Sequence, residues 1–135
     1  MLGEGAIALH WAACALDSVR SRLTAYGAGF FGTEQRARPY EDLERLGQEM
    51  GTLSERFTVE LGREHEAVAA FTGARVAVRD IVATLALLRD PDRHGVSDIQ
   101  KFADETIEQI EDQRTGFDAW RDRFMDALRD SRGKE

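Results

Sequence analysis

Two glutamates near the middle of the sequence have the spacing of a cation site. Glu60 and Glu64 lie four residues apart, so a continuous helix would place both carboxylates on one face, with His65 beside them. Di-iron helical bundles use Glu-x-x-His pairs from two helices, and the residue three before His65 is Gly62. We therefore predict no metal and no cofactor. The two glutamates are interpreted as the edge of an apolar stripe or as a polar layer that sets register or oligomer state, and both are kept as candidate members of an interaction surface.

A row of aspartates near the C-terminal end could bind a divalent ion or a basic partner. Arg121 and Arg129 lie three residues after Asp118 and Asp126, where they can neutralise those two carboxylates. The acidic stretch 104–112 has a similar character. We interpret both as solvated faces and keep Asp118 and Asp122 as candidate contacts for a protein partner. The row recurs every four residues: Asp118, Asp122, Asp126 and Asp130.

Two adjacent aromatic residues, Phe30 and Phe31, lie in a glycine-rich segment at 27–38. Exposed aromatics on such a loop can anchor a partner or touch a membrane. They can equally fill the open end of a helical bundle. Both interpretations are kept, and the two residues are candidate members of an interaction surface.

The single cysteine, Cys14, is flanked by alanines and leucine and has no neighbouring base in the sequence. We interpret it as a buried, inert residue, and Trp11 and Trp120 as core anchors. A lone cysteine forms no disulfide within the chain, which suits a reducing compartment. The apolar run 6–16 lacks the preceding basic residues of a signal peptide and is too short to span a bilayer. We expect a cytoplasmic protein.

No phosphate-binding glycine loop, nucleophile elbow or zinc signature occurs in the sequence, so we predict that the chain is not an enzyme. The formal net charge is −7. Nucleic acids and anionic membrane surfaces both require clustered positive charge, so this charge argues against both as partners.

Hydrophobic periodicity predicts long helices that would position these residues. In the first helix, 5–26, apolar residues recur every four positions and define the expected buried face. After the loop 27–38, a helix is predicted over 39–89, beginning at Pro39. The first helix's apolar row comprises Ile7, Trp11, Ala15, Val19 and Leu23, with Cys14, Leu16 and Tyr26 beside it.

The segment 39–89 carries the strongest pattern, a heptad repeat in which twelve of fourteen seam positions are apolar. Glu60 and Glu64 are the two exceptions. A helix of that length would measure about 75 Å, too long for a small globule, so it either forms an extended coiled coil or breaks. We predict the break near Gly73, with Gly62 as the second choice.

A turn over 90–96 and a helix over 97–131 complete the chain, with Ser97 and Gln100 as a capping box. The expected fold of residues 1–135 is a single all-α domain. It is a coiled-coil-like antiparallel bundle of three long helices, or of four if the middle helix breaks near Gly73.

The expected function is a non-enzymatic interaction module, a scaffold or adaptor, that binds itself or another protein through amphipathic seams. One alternative is a bundle that binds a metal or a small ligand, at Glu60, Glu64 and His65 or in a cavity near Gly62 and Gly73. The other is membrane-surface association, through Phe30 and Phe31 or an opened first helix.

Overall fold

The computed structural model describes residues 1–133, and these form four α-helices and no strand. A short 3-10 turn at Gly27–Gly29 follows the first helix. The predicted all-α helical bundle is confirmed, in its four-helix form. The helices are α1 (Leu2–Tyr26), α2 (Glu34–Leu61), α3 (Glu66–Arg89) and α4 (Ile99–Gly133).

The long middle helix breaks at Gly62, and the prediction of a break near Gly73 is wrong. Gly62 has φ 88° and ψ 152°, a backbone conformation essentially restricted to glycine. His65 then caps the next helix, its Nδ1 accepting a hydrogen bond from the backbone N–H of Ala67 at 3.2 Å. Gly73 lies inside α3, where the absent side chain leaves room for Trp120 of α4.

Helix α2 begins five residues before the predicted start, because Thr33 caps it and Pro39 is accommodated inside it. The Thr33 hydroxyl oxygen accepts a hydrogen bond from the N–H of Arg36 at 3.2 Å. Proline has no N–H, so the carbonyl of Gln35 lacks its usual helical donor at position 39. Arg22 of α1 supplies the missing hydrogen bond from Nη1 at 2.9 Å.

Helix α4 is capped by Asp98 rather than by the predicted Ser97. The Asp98 carboxylate accepts a hydrogen bond from the N–H of Lys101 at 3.0 Å. Gln100, expected to complete the capping box, instead accepts a hydrogen bond from the N–H of Ala28 at 3.1 Å. Its amide thereby ties the start of α4 to the turn after α1.

Each helix runs antiparallel to the next, and α4 packs back against α1, so the four helices form a closed ring. At one end of the bundle, Gly5 of α1 lies against Phe57 of α2 and Phe124 of α4. At the other end, the guanidinium of Arg89 lies over the ring of Tyr40. Most of the apolar heptad positions are core in both middle helices. They include Leu43, Met50 and Phe57 of α2 and Phe71, Val78, Ile81 and Leu85 of α3.

Candidate functional site

The first part of the expected apolar row on α1 faces solvent, so the expected buried face is wrong at Ile7 and Trp11. The rest of the row, Ala15, Val19 and Leu23, is buried as expected. Ile7 is 61% exposed and Trp11 is 57% exposed. The error comes from reading four-residue spacing as one face, because each step of four advances about 40° around a helix with 3.6 residues per turn. The row therefore winds from the solvent side at Ile7 to the core at Leu23. The buried face is formed mainly by Leu9, Ala12, Leu16, Val19 and Leu23.

Helix α2 supplies the second wall of a groove beside this row. Leu46 and Leu53 are heptad positions that remain half-buried, with their inner sides packed against the core. Trp11 and Leu46 line the same depression, and Ile7 and Leu53 line the adjoining one. We call this surface the α1–α2 groove, formed by Ile7, Trp11, Cys14, Leu46 and Leu53.

Charged residues flank the groove unevenly. At one end Arg56 of α2 pairs with Glu4 of α1, with Nη2 and Oε2 2.7 Å apart. Glu49 lies beside the central depressions. Three arginines, one of them paired with an aspartate, gather at the other end. They are Arg22, Arg38 and Arg45, and the Arg45–Asp42 pair measures 3.1 Å.

Cys14 is exposed on the rim of the groove, so its interpretation as a buried residue is wrong. Its sulfur lies 3.9 Å from Nε2 of His10, one helical turn earlier. The imidazole of His10 in turn lies edge-on to the indole of Trp11, with ring centroids 5.4 Å apart. The expected core role of Trp11 is wrong as well, because Trp11 and Cys14 both lie on the solvent-facing side of α1.

Phe30 and Phe31 lie at the end of the bundle rather than on an open loop. Phe30 is fully buried, and Phe31 is half-buried against the core. Their rings pack edge to face at 4.8 Å, and Phe31 packs in the same way against Tyr40 at 5.3 Å. Phe30 is therefore not available to a partner in this structure.

Glu60 and Glu64 do not share a helical face. Glu60 lies in the last turn of α2, and Glu64 follows the break at Gly62; both are exposed. His65 uses Nδ1 to cap α3. Among the described residues, no group of three or more histidine, cysteine, aspartate or glutamate side chains is placed to hold a metal ion.

The aspartate row on α4 lies on an exposed face and is partly neutralised by arginines. Asp118 pairs with Arg114, not with the predicted Arg121, and Arg114 also donates from Nε to Asp17 of α1 at 3.1 Å. Asp126 pairs with Arg129 as predicted. Asp122 is exposed. The same side chain of Arg114 thus joins α4 to α1.

A buried hydroxyl that sequence reasoning missed is that of Tyr40 on α2. It donates a hydrogen bond to Oε2 of Glu44, one turn later, at 2.9 Å. Burial, and then the hydrogen bond and the negative charge of Glu44, raise the pKa of Tyr40 to about 12, against an opposing effect of Arg89. The i, i+4 spacing of Tyr40 and Glu44 was the only signal in the sequence.

Within residues 1–133, no helix combines the length and the apolar character needed to cross a membrane. Comparison with protein-family models, with curated proteins and with solved structures finds no match for this chain.

Proposed function

We propose that this chain is a non-enzymatic interaction module that binds a protein helix in the α1–α2 groove. The observation that carries the proposal is the exposure of Trp11 and Ile7 beside the half-buried Leu46 and Leu53. Large exposed aromatic and aliphatic side chains grouped in one depression are typical of protein contact surfaces, where tryptophan often dominates the binding energy.

Four exposed residues on α1, which we call the exposed row, have a spacing that favours a helical occupant. Ile7, Trp11, Cys14 and Ser18 follow one another at intervals of four, three and four residues. This is the spacing of a coiled-coil seam, in which such side chains insert between those of a facing helix. These four residues form a second seam on α1 that faces away from the core, and this seam supports a helix as the bound element.

The polar groups around the groove support binding rather than catalysis. Two of the three carboxylates that line the groove, Glu4 and Asp42, are each paired with an arginine, and the third, Glu49, lies beside the central depressions. Paired charges at the edge of an apolar patch are typical of the polar rim of an interface. The same proposal places the module in the cytoplasm, since its only thiol has no partner within the chain.

Site-specific photocrosslinking tests this proposal. A photoreactive phenylalanine analogue would replace Trp11 in one variant and Val59, which is 85% exposed on α2 outside the groove, in the other. We expect discrete protein adducts from position 11 and none from position 59, in purified samples or in cell extract. Absence of adducts from position 11 in both settings would show that the groove binds no protein.

A further inference from the structure

We propose that the α1–α2 groove packs face to face on the same groove of a second copy of the chain, with the two α1 helices antiparallel across a two-fold axis. The inference rests on the proposed function and names its partner. It is carried by the order of charges along the groove and by the position of the exposed row within it.

The antiparallel packing of α1 and α2 fixes which residues lie at the same level of the groove. Glu4 lies beside Arg56, as their ion pair shows. Trp11 shares its depressions with Leu46 and Glu49, and Ser18 shares one of them with Asp42. The groove thus has two halves, one at the start of α1 and one toward its end.

The two halves carry opposite net charge. The first half holds two carboxylates and one guanidinium, a net charge of −1: Glu4, Glu49 and Arg56. The second half holds three guanidinium groups and two carboxylates, a net charge of +1, because Glu49 lines both halves. These charged residues are Arg22, Arg38, Arg45, Asp42 and Glu49. The apolar residues lie between and beneath these charges.

A two-fold rotation about the middle of the groove exchanges its halves. The negative half of each copy then faces the positive half of the other, twice in the same interface, as expected for an isologous contact. A parallel arrangement would instead bring like-charged halves together. The groove therefore complements an inverted copy of itself, although the whole chain carries a net charge of −7.

The exposed row gives the register. Its midpoint falls between Trp11 and Cys14, so antiparallel pairing places Trp11 of one copy beside Cys14 of the other, and Ile7 beside Ser18. Each indole then enters the depression of the other copy that Leu46 lines. The two Cys14 residues lie near the axis, about 10 Å apart between Cα atoms for helices packed at 8–10 Å.

Light scattering after size exclusion, over a range of concentrations, tests the inference. We expect the unaltered chain to form a dimer. Trp11→Glu should raise the dissociation constant of the dimer about tenfold or more, and Val59→Glu should have no comparable effect. Glu49→Arg, which makes the first half positive, should weaken the dimer more than Glu108→Arg on the exposed face of α4. Circular dichroism and thermal melting check that each variant folds, and Ile7→Lys replaces Trp11→Glu if that variant unfolds.

Crosslinking through Cys14 tests the register without any substitution, because this is the only cysteine. A short bismaleimide should join two copies in high yield. A variant with Cys14→Ser and Ala119→Cys, which moves the thiol to the exposed face of α4, should be joined poorly.

Three results would overturn the inference. They are a monomer at every concentration, a dimer unaffected by Trp11→Glu and Ile7→Lys, or equal crosslinking from positions 14 and 119.

Photocrosslinking at position 11 then separates the two proposals. Adducts with other proteins alone would keep the groove as a binding surface and reject the second copy, whereas no adducts would reject both.

Discussion

The indole ring of Trp120 covers Gly73 so closely that a β-carbon on Gly73 would overlap the ring carbons Cδ2 and Cε2. This contact joins the first half of α3 to the second half of α4. Gly73 therefore remains helical, although glycine in the middle of a helix favours a break, because its missing side chain admits a large aromatic ring that α4 supplies.

The effect of Gly73→Ala on the free energy of unfolding should change sign with the residue at position 120. In the unaltered chain we expect Gly73→Ala to lower the free energy of unfolding by about 1–3 kcal/mol, because the rigid indole must move. In a Trp120→Ala background the same change should raise it by about 0.5–1 kcal/mol through helix propensity. Urea unfolding of the four proteins measures both effects, and equal effects in the two backgrounds would contradict the contact.

Gly62 and Gly116 form a matched pair, since a β-carbon on either would meet nothing within 4 Å. They differ in backbone conformation: Gly62 has φ 88°, and Gly116 lies inside α4. We expect Gly62→Ala to destabilise the fold by about 1–3 kcal/mol. Gly116→Ala should stabilise it by about 0.5–1 kcal/mol. Thermal and urea unfolding would reveal opposite signs, and the same sign for both would contradict the break at Gly62.

The buried hydroxyl of Tyr40 should make the fold less stable at alkaline pH. Its pKa rises from 10.0 to about 12 in the folded chain. Below pH 10 both states hold the proton, whereas between pH 10 and about 12 only the folded state does. The free energy of unfolding should therefore fall by about 2–3 kcal/mol over this range.

The Tyr40→Phe variant isolates this effect, because it lacks the proton that the folded chain retains. Its stability should fall less steeply between pH 10 and 12 than that of the unaltered chain, by the amount assigned to Tyr40. Urea unfolding at a series of pH values measures the difference. Parallel pH profiles for the two proteins would show that Tyr40 does not titrate differently on folding.

Divalent cations should leave the fold unchanged, because Glu60 and Glu64 lie on either side of the break and share no face. We expect no shift in melting temperature with Zn²⁺, Mn²⁺ or Mg²⁺, and no bound metal on elemental analysis. A metal-dependent shift that Glu60→Gln and Glu64→Gln both abolish would contradict this expectation and restore the metal-binding alternative.

Local side-chain patterns in the sequence were enough to predict the helical class and most of the core. The heptad positions from Leu43 to Leu88 are mainly buried. A regular apolar repeat forms one stripe along a helix, and this stripe is removed from water by packing against neighbouring helices. Aromatic Phe30 and Phe31 were also recognised as possible fillers of the bundle end. These conclusions required only periodicity and hydrophobicity.

Contacts between residues distant in the sequence decided the rest. Gly73 lies inside α3 against the indole of Trp120, 47 residues further along the chain, and the sequence alone offers no measure of that contact. Pro39 is tolerated inside α2 because Arg22 reaches the carbonyl of Gln35 from α1. The exposed side of α1 is likewise fixed by its neighbours. A helix with apolar residues on several faces can bury only those that its partner helices reach. Helices α2 and α4 pack on α1 so that Leu9 and Leu16 are buried and Trp11 remains in solvent.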